Sequence, residues 1–318
     1  MANVDRVAGI ERGQGWRDTI WRPAPSVARK VLTWDKPWPW LLPVVLLLLA
    51  LGVYPLIYNI YNSFREFDPV KGGWEWVRFD NWTHMLRDDR VHGALWITFK
   101  YVVIALIIEF SLGLAIALLF NSGPWASGLW QALLILPMVI PPTVAALMFT
   151  LLENSDYGTL SWLLYKTGLI HKSEPLLGGT GRHALEAVLL PDIWQWTPFF
   201  VLILLAGLKA LPTEPLEASR VDGATTWQTF LHVTLPMLRP MVAIAVLFRL
   251  VDLLKVFDYV YIMTQGGPGR ATEVVSLYAY LQSFSYIKWG YGSTLGLGIL
   301  ILAILVANLY VRFSKVEW

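Results

Sequence analysis

Arg249, Asp252, Lys255 and Asp258 follow one another at three-residue intervals inside an otherwise apolar stretch. At mid-bilayer each such charge costs about 2.5–3.5 kcal/mol on insertion scales, so a helix carrying four of them does not face lipid by itself. Alternating signs at i, i+3 allow Arg249–Asp252, Asp252–Lys255 and Lys255–Asp258 pairs, which lower the cost. Two roles fit: a wet path on which some of the charges meet a solute, or an internal ladder of ion pairs that holds helices together. Steps of three residues drift by about 60° each around a helix, so the four cannot share one face. Glu109 stands in another apolar stretch and reads as a hydrogen-bonding residue between helices more readily than as a ligand. Trp194-Gln195-Trp196 offers aromatic faces for the C–H surfaces of a sugar and an amide for its hydroxyls; interfacial or core tryptophans with one amide making a helix contact fit the triplet equally well. The candidate solute path drawn from these residues is Trp194, Gln195, Trp196, Asp252 and Asp258.

Nothing in the sequence equips the chain for catalysis. A Gly-x-x-x-x-Gly-Lys-Ser/Thr phosphate loop is missing, as are a His-Glu-x-x-His pair and a Gly-x-Ser-x-Gly elbow, and the five histidines are scattered. Zero cysteines remove disulfides, thiolate nucleophiles and thiolate metal sites together, and leave the redox compartment open. No catalytic, cofactor or metal residue is therefore expected.

The elements that must position these residues are membrane spans. Of 318 residues 56% are hydrophobic and only 15% charged, and the apolar ones gather in long blocks, which argues against a soluble enzyme. A net charge of +2 without clustered cations gives no footprint for nucleic acid. A bilayer core takes roughly 20 apolar residues per helix. Runs of that kind lie at about 38–64, 94–120, 129–152, 184–208, 240–263 and 289–311, with a hydrophilic segment 1–37 before them and a short tail 313–318 after. The expected fold class is an all-α integral membrane protein with six transmembrane helices. Pro137, Pro141 and Pro142 interrupt the third span and serve either flexibility or a packing kink. Seven cations against four acids precede the first span, which favours cytoplasmic N- and C-termini, although cations number twelve inside and ten outside on that topology.

The same topology puts loop 211–239 in the cytoplasm. Locally it reads as two short helices around a glycine. Thr213 is placed to cap the first, Pro215 fits its first turn, Gly223 ends it and Pro236 stops the second. An amphipathic pair lying on the membrane surface would look the same. The spacing Glu217-Ala218-Ser219, Gly223, Val233, Leu235-Pro236 resembles the signature of permease subunits of binding-protein-dependent ABC importers: Glu-Ala-Ala, three residues, Gly, nine residues, Ile, any, Leu-Pro. Ser219 stands for Ala and Val233 for Ile, both conservative. Ile193-Trp194-Gln195-Trp196-Thr197-Pro198-Phe199, Phe257-Asp258, Gln265-Gly266-Gly267-Pro268 and Tyr291-Gly292-Ser293 resemble the maltose, sugar and glycerol-phosphate permeases of that family.

The resemblance implies a type I ABC importer permease fold and a cytoplasmic coupling loop that docks on an ATPase through Glu217, Ala218, Ser219, Asp222, Gly223, Val233, Leu235 and Pro236. It also implies partners: two ABC ATPase subunits that bind ATP and Mg, a second homologous permease, and an extracytoplasmic solute-binding protein, all at a bacterial-type inner membrane. The cargo would be a sugar, polyol or glycerol phosphate, moved by alternating access. The competing expectation, from the charges of the fifth span, is an ion- or proton-coupled secondary transporter.

Overall fold

A computed structural model describes residues 38–171, 174–178 and 181–314, so the expected segment 1–37 and residues 315–318 of the tail lie outside the described residues. The described residues divide into two units, one up to residue 57 and one from residue 58 on. In the first, α1 (Trp38–Leu48) runs through a π turn (Leu49–Val53) into α2 (Tyr54–Ser63). Leu41–Ser63 is apolar on every side, and its side chains from Leu41 to Ile57 are exposed, as suits a helix bathed in hydrocarbon.

The second unit continues with a hairpin of β1 (Arg65–Asp68) and β2 (Gly73–Trp76), then α3 (Asp80–Arg87), α4 (Asp89–Asn121), α5 (Ser127–Val139), α6 (Pro142–Leu152), α7 (Thr159–Lys166) and α8 (Ala184–Ala210). There follow α9 (Glu214–Val221), α10 (Thr226–Thr229), a π turn (Phe230–Thr234), α11 (Leu235–Met237), α12 (Arg239–Leu253), α13 (Asp258–Met263), α14 (Val275–Tyr280) and α15 (Trp289–Ser314). Besides Leu41–Ser63, the helices α4, α8 and α15 are each long and apolar enough to cross a bilayer. Two helix pairs add a crossing each only if the pair is one broken span: α5 meets α6 at 97°, and Thr226–Met237 meets α12 at 64°. The architecture is thus helical, with four straight spans and up to two broken ones.

The hairpin is an addition that the helical reading does not contain. Arg65 pairs with Trp76 and Asp68 with Gly73, while Asp68 Oδ1 accepts the Val70 N–H at 2.9 Å and so closes the turn. Four-residue strands are too short to announce themselves by alternation. The hairpin meets α15 from its N-terminal end: the Glu66 carboxylate accepts the N–H groups of Gly290 at 3.3 Å and Tyr291 at 2.9 Å, donors that a helix start leaves unpaired.

Within the second unit the helices pack around α4 and α8. One cluster joins Ala117, Phe200, Val201, Leu204 and Leu205 to Ala245 of α12, and another joins Tyr101, Ala105, Ala145, Val188, Val260 and Leu277. At Gly113 the two long helices come so close that a Cβ would overlap the Cβ of Phe200. The fifth span is a single helix only to Leu253. Lys255 and Val256 make tightened i→i−3 bonds to Asp252 and Leu253, Phe257 is non-helical at φ −141°, and α13 restarts at Asp258.

Two acids stand just outside the ends of α4 and α6. Asp88 caps α4 by accepting the Arg90 N–H at 2.9 Å, and its Oδ2 receives the hydroxyls of Tyr278 at 2.6 Å and Tyr291 at 2.7 Å. Burial pushes its carboxyl up, and these hydrogen bonds outweigh that and hold it below the usual range. Glu153, one residue beyond α6, is fully buried, and neither carboxyl oxygen has a partner among the described residues. Burial alone pushes it up to about 9.

Candidate functional site

The charges of the fifth span converge on one guanidinium. Arg249, 2% exposed, donates from Nε and Nη2 to the two oxygens of Glu109, each at 2.7 Å, in a bidentate pair. Nη2 also donates to Asp192 Oδ1, and Nη1 donates to Asp252 Oδ2 at 2.7 Å. The second oxygen of Asp192 accepts the Tyr101 hydroxyl at 2.9 Å. Trp196 closes the remaining side, its ring centroid 4.9 Å from the guanidinium carbon, within cation–π range. One cation thus binds carboxylates from α4, α8 and α12, and in hydrocarbon such a node persists only because each charge is paired and hydrogen-bonded.

Asp252 is the member of this node that faces outward. Its side chain is 41% exposed, and its other oxygen lies 3.6 Å from the ammonium of Lys255. Together with Trp196, Phe199, Phe248, Arg249 and Ala307, these two residues line a cleft of about 470 Å³. Aromatic faces, a carboxylate acceptor and an ammonium donor in one cleft suit a hydroxylated, C–H-rich solute.

The structure does not gather the other sequence candidates here. Trp194 lies two residues from Trp196, on a different side of α8, in an apolar cleft with Ile116, Trp130 and Pro137. Gln195 is 1% exposed and has both ends of its amide engaged: Nε2 donates to the Ile140 carbonyl at 2.6 Å, and Oε1 accepts the Tyr259 hydroxyl at 2.8 Å. Ile140 is the joint between α5 and α6. Ile140 is extended at ψ 132°, and the Val144 N–H that a continuous helix would bring to its carbonyl goes to Pro141 instead, so Gln195 satisfies the carbonyl that the break exposes. Asp258 is exposed at the start of α13, with an oxygen 3.4 Å from the Thr143 hydroxyl. No Lys255–Asp258 pair forms among the described residues, because the helix has ended between them. Asp192 and Tyr101 escaped the sequence reading. Asp192 carried the signal that drew attention to Glu109, a carboxylate within an apolar block, but sits beside the Trp-Gln-Trp triplet that attracted notice instead.

The residues of loop 211–239 that carry the signature spacing lie apart from this node, on an exposed surface. Glu217, Ala218, Asp222, Gly223 and Pro236 are exposed, while Ser219, Val233 and Leu235 are half-buried. Gly223 takes φ +78°, the left-handed conformation that ends α9 without steric cost. Ser219, where the family signature has alanine, donates to the Leu216 carbonyl at 2.8 Å and lies 3.1 Å from the Thr229 hydroxyl, joining the two halves of the loop. Two local expectations need correction. Thr213 holds the N-cap position without a side-chain cap bond, its backbone already helical at φ −80° and ψ −26°. The second helix does not stop at Pro236 but runs on to Met237, because the π turn widens the backbone just before the proline and Leu235 N–H reaches back to the Phe230 carbonyl. Val221, 88% exposed, and Trp227, 66% exposed and stacked on Phe230, give the loop an apolar tip beside the acids Glu214 and Glu217.

Residues 109–315 match the family described as "Binding-protein-dependent transport system inner membrane component". The chain belongs to this family: it is the multi-pass inner-membrane permease of a binding-protein-dependent ABC importer, a non-catalytic subunit whose ATPase partners bind the ATP. Membership sets aside the secondary-transport expectation. The chain is 37% identical over 77% of its length to a probable ABC transporter permease protein of Sinorhizobium fredii, covering 78% of that protein. It is 30% identical over 86% of its length to a trehalose/maltose transport system permease protein of Thermococcus litoralis, covering 92% of it. A sulfoquinovosyl glycerol transport system permease protein of Agrobacterium fabrum is 32% identical over 87% of this chain and 89% of its own length. Among solved structures, a bacterial ABC transporter that imports the acidic polysaccharide alginate superposes with a TM-score of 0.74 at 20% identity, over 91% of this chain and 97% of that one. That likeness shows the fold.

Proposed function

We propose that the permease moves a carbohydrate-type solute, a sugar, polyol or glycerol phosphate, delivered by its extracytoplasmic binding protein. The cleft of Trp196, Phe199, Phe248, Asp252 and Lys255 carries this reading, since it sets aromatic faces and both kinds of hydrogen-bonding charge side by side. The names of two relatives, a trehalose/maltose and a sulfoquinovosyl glycerol permease, point the same way. In the proposed complex this chain pairs with a second, similar permease over two ATPase subunits. Closure of the ATPases pushes the exposed loop around Glu217 and Gly223, the permeases rock, and the solute passes the Asp252 cleft between them. Gln195 acts away from the cleft, by holding the break in the third span. Both termini and the loop 211–239 face the cytoplasm on this reading, with the seven cations before the first span on the same side.

The test is a mild-detergent pull-down of the tagged chain from its native membranes, followed by reconstitution of what is recovered. Recovery of a phosphate-loop ATPase, a second permease and a sugar-loaded binding protein, with uptake that stops without ATP, supports the reading. A binding protein loaded with an amino acid or a metal overturns it.

A further inference from the structure

We propose that Arg249 is a positioning residue for transport: it touches no solute and acts by fixing the Asp252 carboxylate, and behind it the Trp196 ring, at the wall of the cleft. The inference rests on the reading of that cleft as the solute path. Arg249 lies in the wall of the cleft but is only 2% exposed, whereas the side chain it grips at 2.7 Å, Asp252, is 41% exposed and offers the solute far more surface. Two carboxylates immobilise the guanidinium itself. Glu109 takes it bidentately from α4, Asp192 takes it from α8, and Tyr101 in turn holds Asp192 at 2.9 Å. The planar fork leaves one nitrogen, Nη1, directed at Asp252. Asp252 therefore has one oxygen tied inward and the other beside Lys255, and presents a carboxylate whose direction is set by residues on two other spans. A carboxylate held in this way keeps one orientation toward passing hydroxyls, where a free one would rotate or collapse onto Lys255.

Lysine at 249 keeps the charge but offers a point donor that cannot serve three carboxylates in fixed directions. The experiment uses the reconstituted importer with its own binding protein. Labelled trehalose, maltose, glucose and glycerol 3-phosphate are offered in turn, and the probe that the wild type accumulates is kept. Solute moved per ATP hydrolysed is measured for Arg249→Lys, Asp252→Asn and the double variant, together with the concentration of loaded binding protein that gives half-maximal rate. Each single variant is expected to lower solute per ATP by about tenfold with that concentration unchanged, and the double variant to lose no more than the worse single, because Arg249 acts through Asp252. If Arg249→Lys does not assemble, Glu109→Gln, which frees the guanidinium while keeping side-chain shape, takes its place in the cycle. Losses that multiply in the double variant, or an unchanged ratio in both Arg249→Lys and Glu109→Gln, overturn the positioning role. An unchanged ratio in Asp252→Asn overturns the cleft as the path, and a wild type that moves none of the four probes overturns the carbohydrate reading itself.

Discussion

Replacing Gly113 by alanine tests whether the contact between α4 and α8 sets the geometry of the ionic node. The added Cβ would overlap the Phe200 Cβ and stand 3.4 Å from the Cα and carbonyl carbon of Phe200. Carbon atoms rest about 3.5–4.0 Å apart, and the obstruction is the root of a side chain and its backbone, which no rotamer change removes. The helices must therefore part by about 1 Å or more. Overpacking of this kind costs about 1–3 kcal/mol, here toward the upper end, and the better helix propensity of alanine returns about 1 kcal/mol, leaving a net loss of about 1–2 kcal/mol. The strain falls one turn from Glu109, so parting the helices also draws Glu109 away from an Arg249 that Asp192 retains on the other side. Gly93, on the same helix with nothing within 4 Å of its would-be Cβ, is the control, and Gly93→Ala should be neutral or stabilising by up to about 1 kcal/mol. Thermal unfolding of the purified importer in detergent, followed by tryptophan fluorescence, should show Gly113→Ala melting a few degrees lower and Gly93→Ala no lower than the wild type. A Gly113→Ala protein that melts with the wild type, or a Gly93→Ala protein that loses as much, would refute the close-contact argument.

Charge reversal at the exposed Glu217, as Glu217→Lys, should leave the complex assembled and ATP hydrolysis running while solute uptake falls; normal uptake in reconstituted vesicles would count against docking through this loop. Glu153 supplies a pH dependence. Its carboxyl is raised from 4.5 to about 9 by burial, so the closed turn holds a proton that the opened turn releases. Closure is firmest below about pH 4.5 and weakens by up to about 1.4 kcal/mol per pH unit until the folded value near 9 is passed. Hydrogen exchange across 153–166 should show this slope in the wild type and not in Glu153→Gln. Asp88→Ala removes the cap of α4 and the acceptor of two tyrosine hydroxyls, and should destabilise the protein by about 1–3 kcal/mol in the same melting assay.

The helical membrane fold was legible because length and apolarity state it directly, and the family because the signature spacing lies within twenty residues of chain. The node was legible only in pieces. Glu109 and Arg249 each stood out as a charge in an apolar block, but their partnership spans 140 positions, and no local rule links them. Asp192 shows the opposite difficulty, a visible signal masked by more suggestive neighbours. The three-residue ladder assumed one continuous helix. Its first two pairs formed and its third did not, because the backbone leaves the helix after Leu253 and the i, i+3 geometry ends with it. Candidate path residues chosen by type, Trp194, Gln195 and Trp196, were dispersed for a related reason. Neighbouring positions on a helix point about 100° apart, so a cluster in sequence is not a cluster in space.

The bond from Gln195 to the Ile140 carbonyl bears on how the chain enters the bilayer. The bend of the third span is completed by a donor that is synthesised fifty-five residues later, on α8. Until α8 arrives, the Ile140 carbonyl has no partner from its own helix, and a bare carbonyl in hydrocarbon costs several kcal/mol. During biogenesis the third span should therefore dwell near the translocon or the headgroups, where water can serve that carbonyl, and settle into its bent crossing only together with the fourth. Spans three and four are in this sense one unit of insertion.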